Sequence, residues 1–124
     1  MALRTFLIAS TLALCSMAWA GPDNVGHKAL HGGVLVTVKD IDYELVANAS
    51  TLRLYVRDHG RAVDVSKASA KLTLLSGNDK QEVELKPSGD KLEATGNFKV
   101  SAGTKVAAVI TSGGKQTAAR FVVR

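Results

Sequence analysis

Sulfur is nearly absent from this chain. It holds one cysteine and two methionines, and Cys15, Met1 and Met17 all fall within the first twenty residues. Those residues have the makeup of a secretory signal peptide. A short positive start ends at Arg4, an apolar run of about ten residues follows from Thr5 to Leu14, and Ala18-Trp19-Ala20 offers small residues ahead of a cut before Gly21. Leu12-Ala13-Leu14-Cys15 has the outline of a lipoprotein cleavage box, but Leu14 is bulky where that box takes a small residue. The expected product, residues 21–124, then has neither thiol nor thioether. Disulfides within it and soft-donor Cu(I) coordination are both excluded. Stability must come from a core alone, which a domain of about 100 residues is large enough to bury. Export without disulfide staples fits the bacterial periplasm.

Three further scarcities narrow the function. The first apolar run is too short to span a bilayer, and no later run is longer, so no membrane span is expected. Runs of like charge are missing as well: removing Arg4 from sixteen basic side chains leaves fifteen against eleven acidic ones, a balance of +4. The charges alternate in sign, with Lys39 beside Asp40 and Asp79 beside Lys80. Aromatics beyond the leader are only Tyr43, Tyr55, Phe98 and Phe121. A nucleic-acid interface needs a clustered basic face with stacking rings, so no nucleic-acid partner is expected.

Helical periodicity is the last absence; Ser66 to Ala70 tolerates a helix but is short. From Gly33 onward the apolar period is two. Thr51-Leu52-Arg53-Leu54-Tyr55-Val56-Arg57 alternates, as do Ile41 to Leu45, Lys71 to Leu74, Glu82 to Lys86, Phe98 to Val100, Val106 to Ile110 and Arg120 to Val123. Turn residues separate them at Asp58-His59-Gly60, Ser76-Gly77-Asn78-Asp79, Pro87-Ser88-Gly89-Asp90 and Ser112-Gly113-Gly114-Lys115. Half-buried strands closed by tight turns predict an all-β antiparallel sandwich, immunoglobulin-like, with about seven to nine strands. A small closed barrel is the alternative. The alternation assigns the core to Val34, Val36, Tyr43, Leu45, Leu52, Leu54, Val56, Val63, Leu72, Leu74, Val83, Leu85, Leu92, Phe98, Val106, Ala108, Ile110 and Phe121. Strand carboxylates fall between these positions and are expected to face solvent. The domain reading is a signal peptide at 1–20, a flexible His-containing leader at 21–32 and a β-sandwich at 33–124.

The chemistry available rests on three histidines. His27 and His31 stand four residues apart in His27-Lys28-Ala29-Leu30-His31-Gly32-Gly33. That spacing lets two imidazoles reach one divalent ion, across a helical turn or in a folded loop, and the glycines let the backbone bend close to it. Imidazole suits Cu(II), Zn(II) and Ni(II), and protons compete for it below about pH 6.5. Two donors do not complete a site, so Asp23, His59 with Asp58, or a second molecule would supply the rest. The bland reading makes His27 and His31 polar residues of a mobile leader, and His59 a solvated turn residue in Arg57-Asp58-His59-Gly60-Arg61. No serine lies in a Gly-x-Ser-x-Gly elbow, and no helix follows a glycine-rich loop, so an enzyme is not expected.

His31-Gly32-Gly33-Val34-Leu35-Val36 followed by Asp42-Tyr43-Glu44-Leu45 resembles the opening of small periplasmic β-sandwich proteins associated with bacterial heavy-metal efflux. The amino-terminal metal-associated domain of efflux adaptor subunits is one of them. The likeness continues through Leu52-Arg53-Leu54-Tyr55-Val56, Asp58-His59-Gly60-Arg61-Ala62-Val63-Asp64 and Leu72 to Leu75, with Ala62 where proline is usual. The resemblance implies a free-standing exported accessory protein that captures or hands over a metal ion to an efflux component. The expectation is weak binding of Cu(II), Zn(II) or Ni(II) by His27 and His31, with His59 as a third donor. The alternative is a non-enzymatic interaction module that docks a periplasmic protein through strand edges or a basic face.

Overall fold

The structure, a computed structural model, describes residues 28–124. The expected signal peptide and His27 lie outside the described residues. Within them the chain is all-β and antiparallel: β1 (Val34–Val38), β2 (Ile41–Ala47), β3 (Thr51–Asp58), β4 (Arg61–Ala62), β5 (Ser69–Ser76), β6 (Asp79–Ser88), β7 (Lys91–Thr95), β8 (Lys105–Ser112) and β9 (Lys115–Val122). Among the described residues no helix is long and apolar enough to cross a membrane.

The strands follow the order β1-β2-β3-β7-β6-β5-β8-β9, with β4 added to the end of β3. β6 links the two halves. Its residues Asp79 to Leu85 pair with β5, and Lys86 to Ser88 pair with β7. At the ends of the order, β1 and β9 pack side by side without ladder pairing, so the sheet nearly closes on itself.

Alternation sets which side chains enter. On β8, Val106, Ala108 and Ile110 are buried while Lys105, Ala107 and Val109 are exposed. Of the expected core, all are buried except Val34, Val36, Val63 and Val83, which pack half-buried against it; Val65, Ala68, Ala70 and Ala119 complete the cluster. Leu45, Leu52, Leu54, Leu72, Leu74, Leu85 and Leu92 are each at most 2% exposed. Burying each contributes about 1.5–3 kcal/mol. Exposed pairs such as Lys99 with Asp79 (3.1 Å) are worth at most about 1 kcal/mol each. The core decides stability.

The four turns expected from sequence each close a hairpin. Two more were not expected, between β2 and β3 and between β1 and β2; in the latter Lys39 and Asp40 adopt φ of 52° and 68°. A second departure concerns carboxylates. Asp42 and Glu44 sit on the side of β2 that faces away from the core, as alternation requires, yet they are 1% and 0% exposed. The segment ahead of β1 helps to cover them, and that is where the candidate site lies.

Candidate functional site: a carboxylate-held imidazole

The site starts from strand register. β2 sets Glu44 opposite Leu35 on β1 and Tyr55 on β3, and sets Asp42 opposite Thr37 and Arg57. All six therefore share the outward face. Thr37 Oγ1 donates to Asp42 Oδ1 at 2.7 Å. The residues before β1 then cross over Glu44. Gly32 makes the bend with φ of 76°. Gly33 brings the backbone so close to β2 that an added Cβ would sit 2.3 Å from the Leu45 carbonyl oxygen. The two glycines therefore act differently: one supplies a left-handed conformation, the other a close approach.

Glu44 ties this segment down. Its carboxylate accepts from the backbone N–H groups of Leu30 (2.9 Å), His31 (2.8 Å) and Gly33 (2.9 Å), and from the Arg57 guanidinium at 3.3 Å. Arg57 also donates to the Lys28 carbonyl. Burial alone would raise the Glu44 pKa. The hydrogen bonds from the Gly33 N–H, the His31 ring and the Leu30 and His31 N–H groups outweigh it and hold the value at about 2. The group is therefore a carboxylate at any ordinary pH.

That charge state orients His31. Nδ1 lies 3.0 Å from Glu44 Oε1, and an ionised carboxylate can only accept, so Nδ1 carries the proton. In the neutral ring Nε2 then bears the free lone pair. Tyr55 fixes the ring plane, stacking at 3.6 Å between centroids and 4° between planes. The His31 side chain is 37% exposed, and Nε2 has no hydrogen-bond partner among the described residues. The result is a rigidly presented, solvent-reachable imidazole donor.

His59 lies elsewhere. It occupies the β3–β4 turn at φ of 53°, and its Nδ1 is 2.5 Å from Asp58 Oδ1, with both side chains exposed. Asp58 lies three residues beyond Tyr55 on the same strand, about 10 Å away. His31 and His59 are thus at different places along β3, and among the described residues no group of three or more His, Cys, Asp or Glu gathers in a way that could hold a metal ion. His27 falls outside the described residues. Sequence reasoning found His31, Gly32 and Gly33 but missed Glu44, Arg57 and Tyr55 as their partners. The available signal was a carboxylate on β2 with Arg and Tyr at outward positions of β3.

No family model matches the chain, and no curated protein is similar to it. Among solved structures the chain is similar to the crystal structure of the Br derivative of BhCBM56, at 12% identity and a TM-score of 0.43, over 73% of this chain and 99% of that one. At that score the likeness carries no argument about function.

Proposed function

We propose that this chain is an exported, non-enzymatic accessory protein that binds a divalent transition metal ion weakly through Nε2 of His31, in periplasmic metal homeostasis or efflux. The ion is Cu(II), Zn(II) or Ni(II), which neutral imidazole suits. One observation carries this reading: the Glu44 carboxylate holds Nδ1 of His31 at 3.0 Å. A carboxylate on the far nitrogen of a ligating imidazole fixes its tautomer and raises its basicity. A lone donor does not complete a site. In this reading His27, four residues upstream, supplies the second nitrogen, and Asp23 or a second molecule supplies the rest; His59 with Asp58 lies too far along β3 to join His31. The fold behind it is read as an immunoglobulin-like sandwich. The run β1-β2-β3-β7 on one side and β5-β8-β9 on the other, with β6 pairing into both, supports that finer assignment.

Titration of the purified protein with Cu(II), Zn(II) and Ni(II) salts tests the proposal, together with elemental analysis of the protein as isolated. His31→Ala should weaken binding about tenfold or more, with circular dichroism confirming that the fold persists. If the His27→Ala, His31→Ala double variant binds as tightly as the parent, the assignment is wrong.

A further inference from the structure

Carboxylates are unevenly placed over the described surface. The outward side of β5, β8 and β9 has none; Glu82 and Glu84 of β6 border it, opposite Thr73 and Lys71. Register lays this face out in rows across the three strands: Leu75, Lys105 and Val122; then Thr73, Ala107 and Arg120; then Lys71, Val109 and Ala118. Three of the four large apolar side chains exposed among the described residues are here, Leu75 at 42%, Val109 at 40% and Val122 at 53%. The fourth, Leu30, belongs to the segment over Glu44. A shallow depression of about 420 Å³, lined in part by Leu75, Lys105, Ala107, Arg120 and Val122, opens between the first two rows. Lys71 approaches Glu82 of β6, at 3.8 Å. Lys105 and Arg120 form no ion pair among the described residues.

We propose that this face is a docking surface for a partner protein whose contacting segment alternates apolar and acidic side chains. Leu75, Val109 and Val122 supply area to remove from water, and the alanines let a partner backbone come close. The cations between them select the charge of what lies opposite. A second copy of this chain is the poorer occupant, because this face brings no carboxylate of its own to meet Lys71, Lys105 and Arg120 of its twin. Single-stranded nucleic acid would need aromatic rings to stack on and a duplex a dense cationic stripe, and the face has neither. A lipid surface favours aromatic anchors at the interface, and they are missing for the same reason. The surface is separate from His31, so it stands whether or not that residue binds metal.

The experiment uses the whole purified protein and a blocked peptide as long as β9 made of alternating valine and glutamate, with a valine–lysine peptide as the control. Amide chemical shifts should move at Thr73, Lys105 to Val109 and Ala118 to Val122 with the glutamate peptide only. Arg120→Glu, an exposed change whose fold is checked by thermal unfolding, should weaken that binding about tenfold. Absence of shifts on this face, shifts confined to another face, or equal binding of the lysine peptide would overturn the proposal. So would preferential binding to phosphatidylglycerol vesicles, which would assign the face to lipid. Sedimentation as a dimer that Val109→Lys disperses would assign it to self-association and equally overturn it.

Discussion

Gly32 and Gly33 are neighbours with different constraints, and substitution separates them. At Gly33 a methyl group would meet the Leu45 carbonyl oxygen at 2.3 Å, and backbone cannot yield cheaply. Gly33→Ala should destabilise the protein by about 1–3 kcal/mol, read as a lower urea midpoint, and should lift the residues before β1 off Glu44. At Gly32 nothing lies within 4 Å of the added carbon, and the cost is only that of a left-handed alanine, about 1–2 kcal/mol. The distinguishing readout is Tyr55. Loss of the His31 stack should change tyrosine fluorescence in Gly33→Ala more than in Gly32→Ala. Equal optical changes would mean that close approach does not hold the segment in place. At this scale the sequence displayed the glycines and the imidazole, but not the carboxylate beneath them. Nothing local distinguishes Glu44 from Glu84, since both alternate with apolar residues on a strand. Only the path of residues 28–33 over β2 makes one buried and leaves the other exposed.

The strands were legible because an apolar period of two has one physical reading when turn residues close each run, as in β5 and β8. Where glycine marked the turns, the hairpins were legible too. The β1–β2 turn was not, because Lys39 and Asp40 occupy positions with φ of 52° and 68° that asparagine and glycine normally fill. Lysine there gains nothing local and bears the left-handed penalty. Changing the pair to Asn-Gly should therefore stabilise the protein by about 1 kcal/mol and raise its Tm by several degrees. The gain should leave His31 untouched, because the turn lies at the opposite end of β2 from Gly33. A Tm unchanged or lowered would show that the Lys39–Asp40 conformation is not strained. Strand pairing was beyond reach from sequence. Adjacent positions on a strand reveal a face, but the choice of β7 rather than β5 as the neighbour of β3 depends on contacts far apart in the chain.

For the whole molecule, the depressed carboxylates predict how stability depends on pH. Glu44 titrates at about 2 in the folded protein against 4.5 in its ordinary state. A lowered folded value means that the stabilisation is fully present above pH 4.5 and is lost as the pH falls from there toward 2. For this fully buried side chain the difference corresponds to on the order of 3 kcal/mol. Glu93 beside Arg53 and Asp64 beside the Ser66 N–H are lowered as well and contribute in the same direction. Both are on the surface, so salt should screen their share and leave that of Glu44. Urea unfolding of the metal-free protein, with chelator present, should therefore show stability falling steeply across this acid window even in high salt. Glu44→Gln removes the titrating group and leaves Arg57 and three backbone N–H groups poorly matched. It should be less stable at neutral pH by about 3 kcal/mol or more. Its curve should converge on that of the parent as the pH approaches 2, because protonation costs the parent what the substitution has already removed. Parallel curves for the two proteins across the acid window would show that Glu44 is not the group whose ionisation secures the segment before β1 to the sheet.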